Sequence, residues 1–127
     1  MVDPTVLASD RTYLRNLAAR GIPVPFAVIF GSHATGTADS WSDIDLVVVS
    51  PRFDRPIARE EINLLWRTAA RTDSRIEPVP CGQRQWFEDT SSAILEIARR
   101  EGACVTIEGD ASSLAAIPSS KEPTDAS

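Results

Sequence analysis

The stretch FAVIFGSHATGTADSWSDIDLVVV, residues 26–49, decides the architecture. It opens on a short apolar run from Phe26 to Phe30 that is closed by Gly31. That length and composition predict a buried strand. It ends on Asp43-Ile44-Asp45-Leu46-Val47-Val48-Val49, which beyond its first residues is apolar at successive positions. A strand apolar on both faces belongs in the middle of a sheet. Residues 32–42 between the two runs are small and polar, as in a loop or a single helical turn.

Toward the N-terminus, Asp3-Pro4 forms an N-cap and first-turn pair. Val6, Leu7, Leu14, Leu17 and Ala18 follow at helical spacing, with Gly21 at the expected stop and Pro23 and Pro25 beyond it. Toward the C-terminus, Pro51 and Pro56 bracket a turn, and residues 58–72 predict a helix whose apolar face carries Ile62, Leu65, Trp66 and Ala69. Arg75-Ile76-Glu77-Pro78-Val79-Pro80 predicts a third strand, and its prolines confine it to an edge of the sheet. Residues 86–100 predict one amphipathic helix with Phe87, Ile94, Leu95 and Ile97, stopped at Gly102, and residues 103–107 a last strand. The fold class is therefore α/β (α+β): a small mixed β-sheet with helices packed on it. Residues 1–109 are expected to form one domain, and residues 110–127, rich in Ser, Ala, Pro and charge, a disordered tail.

A chain of 127 residues supports one core and no second large domain. No apolar run approaches the roughly 18–20 residues of a membrane span. No leader-like N-terminus is visible, and Cys81 and Cys104 make neither a disulfide framework nor a zinc site, so a reducing cytoplasm is the expected location. A net charge of -5 excludes an extended nucleic-acid surface. It leaves room for a local basic pocket.

Three features converge on one chemistry. Gly31-Ser32 ends a buried strand, where a glycine lets an anion approach the backbone and a hydroxyl adds a donor. Asp43 and Asp45, two apart in a strand, project from the same face. Two carboxylates held that close repel, and a hard divalent cation such as Mg²⁺ relieves the repulsion. Glu77 on the next strand becomes a third carboxylate on that face if the register allows. Such a set can bind two Mg²⁺ ions that clamp the entering and leaving oxygens of a phosphoryl displacement.

The string Phe30-Gly31-Ser32-His33-Ala34-Thr35-Gly36-Thr37-Ala38, continued by Ser42-Asp43-Ile44-Asp45-Leu46-Val47-Val48, resembles the signature of the nucleotidyltransferase superfamily with the DNA polymerase β-like palm. Within it, the chain is similar to the minimal nucleotidyltransferase branch, and Arg75-Ile76-Glu77-Pro78-Val79 falls where that family carries its third carboxylate. The resemblance covers about residues 5 to 108. It implies transfer of a nucleoside monophosphate from a nucleoside triphosphate, with ATP the expected donor, to a hydroxyl of a protein or small molecule. By position, Gly31 and Ser32 would hold the β- and γ-phosphates, Asp43 and Asp45 both Mg²⁺ ions, and Glu77 the ion nearer the acceptor. The implied partner is a HEPN-type helical protein, a toxin RNase that the minimal nucleotidyltransferase neutralises as antitoxin. Larger relatives continue into a helical acceptor-binding domain, a surface that here is expected to come from another chain. The oligomeric state is left open.

Two positions depart from the pattern. Where many members carry Arg, this chain has His33 and Thr35, which weakens the expected hold on a triphosphate. Glu77 replaces the commoner Asp. A binding module that keeps the partner surface and catalyses little is therefore the alternative reading. An antibiotic-modifying transferase is a third. His33 reads as a phosphate donor or an ordinary surface histidine. Trp41 reads as a base-stacking ring or a cover for the loop, and Trp66 and Trp86 as core. Arg52 and Arg55 read as phosphate contacts or as a solvated turn.

Overall fold

A computed structural model describes residues 2–39 and 41–107. Helix α1, Pro4–Ala19, is capped by Asp3, whose side chain accepts from the Thr5 amide at 2.8 Å. Gly21 follows it at φ 93°, a conformation open chiefly to glycine. Strand β1 is Phe26–Phe30, the single-turn helix α2 Ser32–Thr35, and strand β2 Ile44–Ser50. A 3-10 turn over Pro51–Asp54 leads to helix α3, Arg59–Thr72. Strand β3 is Ile76–Gly82, helix α4 Gln83–Glu88, helix α5 Ala93–Glu101 and strand β4 Ala103–Val105. The expected tail at 110–127 lies outside the described residues.

The sheet has the order β3-β2-β1-β4. β1 runs antiparallel to β2 and β4, whereas β2 and β3 are parallel and joined through α3. The sheet is mixed, with β2 interior and β3 at an edge, as the apolar run and the prolines require. Pro78 and Pro80 are two apart, so their missing donors fall on the same side of the strand, the side a free edge tolerates.

Alternation splits the sheet into two faces. Ala27, Ile29, Ile44, Leu46, Val48 and Ile76 pack with Val6, Tyr13, Leu14 and Leu17 of α1 and Leu65 and Ala69 of α3. Val28, Val47, Val49 and Cys81 face the other way, against Trp86 of α4 and Leu95 and Ala98 of α5. The Tyr13 hydroxyl donates to the Leu65 carbonyl at 2.9 Å and ties α1 to α3. Beneath α1, Asp10 is fully buried, and neither of its carboxylate oxygens has a hydrogen-bond partner among the described residues. Burial, then the charge of Asp73, pushes its pKa up to about 8, with Arg75 opposing. Among the described residues no helix is long and apolar enough to cross a membrane.

Three expectations need correction. The helix read over 86–100 is two helices. Asp89 accepts from the amide and hydroxyl of Ser91 at 2.8 and 2.6 Å, and Ser92 then caps α5 through the Leu95 amide at 3.3 Å. These local bonds outcompete helix continuation, as Asp and Ser do at helix ends. The buried stripe of α3 is Glu61, Leu65, Thr68 and Ala69, which leaves Ile62 and Trp66 outside the core, Trp66 at 47% exposure. Ile94 and Ile97 of α5 are likewise exposed, while Trp86 is buried as expected. Glu61 takes an inward position because its carboxylate accepts from the Ala58 amide at the start of α3 at 3.0 Å and pairs with Arg52 at 2.9 Å and Arg55 at 3.2 Å. Both arginines are thereby used in holding the turn, and Arg52 also donates to the Gly21 carbonyl at 2.7 Å.

Candidate active site

The parallel pairing places Asp45 directly opposite Glu77, and the antiparallel pairing places Phe30 opposite Asp45. Directly opposed residues share a face of the sheet. Asp43 lies just before β2, two residues from Asp45, on an exposed part of the chain. The structure therefore brings Asp43, Asp45 and Glu77 together at one rim, on the face that carries α4 and α5, at the end of β2 opposite the cores of those helices.

The three carboxylates interact. Burial, followed by the charge of Asp43, raises the pKa of Asp45. Glu77 is raised by burial, by a side-chain hydrogen bond with Asp43, and by the charges of Asp43 and Asp45. Like charges at this spacing favour retention of a proton until a cation intervenes.

Gly31 follows Phe30 and lies against Asp45. Its φ of 76° with ψ of -151° is a region that only glycine occupies readily. A Cβ added there would also collide with Asp45 Oδ2. Two independent constraints thus require glycine, and the absent side chain lets the Asp45 carboxylate pack against the backbone at Gly31. Ser32 opens α2, where the first amides of a helix have no partner within it. A cleft of about 530 Å³ lies beside Ser32 and His33, walled by the first turn of α1 and by Arg75. None of the three carboxylates lines it.

His33 is not a surface histidine. It is buried, and its Nε2 lies 3.1 Å from the Ser42 carbonyl. A carbonyl only accepts, so Nε2 carries the proton in this bond. The ring ties α2 to the residue preceding Asp43 and so couples the Gly31-Ser32 turn to the acidic pair. A second tie lies at the start of β3. Arg75 grips Asp73 through Nε at 3.0 Å and Nη2 at 2.8 Å, and its carbonyl accepts from the Ile44 amide at 2.8 Å. The bidentate guanidinium holds the Asp73 carboxyl well down, at about 2. This clasp positions Glu77 two residues on. Sequence reading missed it; the Asp-Ser-Arg run ahead of the strand was its only local trace.

The donor set suits a hard cation within limits. Among the described residues no three His, Cys, Asp or Glu side chains form a ready ligand group for a metal ion. Mg²⁺ asks for less: one or two carboxylates, with water and phosphate oxygens completing its shell. Asp43 and Asp45 offer such a pair, and the Asp45 carboxylate packs directly against Gly31. Cys81 is buried, and burial pushes its thiol up to about 12, which leaves it inert as a nucleophile.

Comparison with known proteins bears on the fold and the family. The chain is similar in fold to a Sulfolobus solfataricus protein assigned as a nucleotidyltransferase, at 18% identity and a TM-score of 0.51, over 62% of this chain and 68% of that one. It also matches a toxin-antitoxin structure with AMP-PNP, at 23% identity and a TM-score of 0.49, over 73% of this chain and 69% of that one. No curated protein sequence matches it. The family profile of the nucleotidyltransferase domain matches residues 12–97, a span that contains Gly31, Ser32, Asp43, Asp45 and Glu77, and the chain belongs to that family.

Proposed function

We propose that the protein transfers a nucleoside monophosphate from a nucleoside triphosphate, with ATP the expected donor, to a hydroxyl acceptor, and that Asp43, Asp45, Glu77, Gly31 and Ser32 are its working residues. The observation that carries this reading is the register Asp45 opposite Glu77, with Gly31 packed against Asp45. Mg²⁺ held by Asp43 and Asp45 would neutralise triphosphate charge, with Glu77 at the edge nearer the acceptor. Ser32 donates its hydroxyl to the β- and γ-phosphates, and Gly31 lets them approach the backbone. Glu77, whose affinity for a proton is already raised, accepts the proton of the attacking hydroxyl. The acceptor oxygen forms a bond to the α-phosphorus, the bond from that phosphorus to the bridging oxygen breaks, and pyrophosphate leaves with the electron pair. The protein's contribution is positioning and charge, as in phosphoryl transfer generally.

Incubation with α-labelled ATP, Mg²⁺ and candidate acceptors tests the reading. Label transfer is expected from the wild type and is lost in Asp43→Asn and Asp45→Asn, with melting curves retained. Transfer that survives either change refutes the assignment.

One observation favours a second reading. His33, standing where the family pattern carries Arg, directs its Nε2 to the Ser42 carbonyl at 3.1 Å rather than outward to a phosphate. A weakly catalytic binding module fits that. The exposed Ile62 and Trp66 on α3 give such a module an apolar surface for a protein partner. The HEPN-type toxin implied by the minimal branch is the candidate, with this chain as antitoxin. Partner binding undiminished in Asp45→Asn, alongside no transfer to any acceptor, is the expected result under this reading. Binding lost on Trp66→Ser but not on Asp45→Asn would locate the partner on α3.

A further inference from the structure

We propose that His33 is a positioning residue of the site, and that its hydrogen bond to the Ser42 carbonyl fixes the backbone from which Asp43 meets Mg²⁺. The inference goes beyond the nucleotidyl-transfer reading and rests on it. Asp43 is the acid that the sheet supports least. It is exposed and stands just ahead of Ile44, the first residue of β2. The pairing of β1 with β2 ends at Phe30 opposite Asp45, two residues short of Asp43. On the β3 side the Ile44 amide donates to the Arg75 carbonyl at 2.8 Å. On the β1 side a side chain takes over where the ladder stops. His33 Nε2 lies 3.1 Å from the Ser42 carbonyl, and because a carbonyl only accepts, the ring donates.

These two bonds flank one residue. The Ser42 carbonyl belongs to the peptide unit before Asp43, and the Ile44 amide to the unit after it. Each peptide unit is a plane, and the two dihedrals between consecutive planes are the only soft backbone angles of a residue. With both planes tied, the direction in which the Asp43 side chain leaves the backbone is set before a cation arrives. His33 is placed for this role. It is buried in the single-turn helix α2, directly after Ser32. Gly31, at the head of the same turn, packs against the Asp45 carboxylate. One turn therefore supports both aspartates, Asp45 through Gly31 and Asp43 through His33. Without the bond, Asp43 still offers a carboxylate to Mg²⁺, but its backbone must be ordered as the ion binds, which costs affinity.

The test uses the full chain as wild type, His33→Gln, His33→Asn and His33→Leu. Gln carries a side-chain N–H donor at about the reach of Nε2, Asn carries the same amide one methylene shorter, and Leu carries none. ATP is titrated calorimetrically at limiting and at saturating Mg²⁺, and hydrogen exchange is followed at the Ile44 amide. At limiting Mg²⁺, His33→Leu and His33→Asn are expected to weaken ATP about tenfold, the lower end of the cost of losing a group that orients a metal ligand. Saturating Mg²⁺ restores most of that affinity. The Ile44 amide exchanges faster in both variants, and His33→Gln matches the wild type in both measurements. Should His33→Leu fail to keep the wild-type melting curve, the Gln and Asn pair decides. A Gln variant as weak as the Asn variant overturns the proposal, since packing of the ring and not its bond would then matter. Wild-type affinity in His33→Asn at limiting Mg²⁺ overturns it while leaving the nucleotide site in place. Equal weakening at limiting and saturating Mg²⁺ also overturns it, by making His33 a phosphate contact. A wild type without Mg²⁺-dependent ATP binding defeats the nucleotidyl-transfer reading itself, and the role of His33 falls with it.

Discussion

Asp45 and Asp10 are both carboxylates partly or wholly withdrawn from water, and in both burial is the first cause of a raised pKa. They differ in access. Asp45 stands at the rim of the sheet, half-buried, beside Asp43 and Glu77 and packed against Gly31. Asp10 lies under α1, fully enclosed, with both oxygens unpartnered among the described residues. Repulsion that solvent and ligands can reach is a means of capturing a cation. The same desolvation sealed inside the fold only lowers stability. A perturbed acid therefore points to function when it is open to solvent and sits among convergent groups, as the rim acids are.

The largest effect should separate the two regions by activity. Asp45→Asn is expected to lower label transfer by at least about a hundredfold, the scale of losing one preorganised electrostatic group from an active site. Asp10→Asn should leave transfer within about twofold. Equal losses in both variants would erase the contrast. Gly31→Ala comes next, because it meets both the unfavourable φ and the Asp45 carboxylate. About 2 kcal/mol of stability should be lost, from the strain cost of such a conformation, together with most of the activity. Urea unfolding reads the first and label transfer the second.

Asp10 gives the comparison a pH signature. Its folded-state pKa of about 8 lies above the ordinary 3.8, so the folded protein holds this proton more tightly than the unfolded chain. Its influence on stability is absent below pH 4. It becomes a growing penalty as pH rises toward 8 and is constant above that. Asp73 and Arg75 are the charged groups facing it, and Tyr13, itself raised by burial and by Asp10, is its titratable neighbour. Asp10→Asn should flatten this slope and stabilise the protein by about 1–3 kcal/mol at pH 8, with little gain at pH 4. Equal gains at both pH values would show that Asp10 does not titrate in that window.

Two smaller tests sharpen the picture. Asp73→Asn removes the clasp that orients the start of β3. Its pKa is depressed to about 2, so its contribution is present above the ordinary 3.8 and fades as pH falls toward 2. About 1 kcal/mol is expected at pH 7 after solvent screening. Transfer should fall further than that stability change explains, because Glu77 loses its support. The smallest effect belongs to Trp66→Ser, within about 0.5 kcal/mol, as for surface positions in general. A loss of several kcal/mol there would return Trp66 to the core.

Local readings succeeded where the physics is local. The Asp3-Pro4 cap and the Gly21 stop follow from neighbours in the chain. The break at Asp89–Ser92 was also legible, since a run of Asp, Thr and Ser is capping chemistry, but the apolar periodicity on either side of it masked the signal. The face of α3 was misread because Ile62 and Trp66 outweigh Glu61 on any hydropathy argument. Only the bond from the Ala58 amide and the arginines around Glu61 reverse that order.

What the amino-acid sequence determined by itself was the kind of sheet, the interior place of the Val-rich strand and the edge place of the proline-bearing one. Chain geometry forces each of these: period-two alternation, absent proline donors, and the cost of exposing an apolar run. Tertiary structure alone decided that Glu77 stands opposite Asp45 rather than one residue away, on the far face. It also decided that His33 turns inward to Ser42, and that Asp10 is sealed while Asp45 stays open. Those outcomes depend on how α1, α3 and the clasp at Arg75 pack against strands distant in sequence, and no local pattern carries that register.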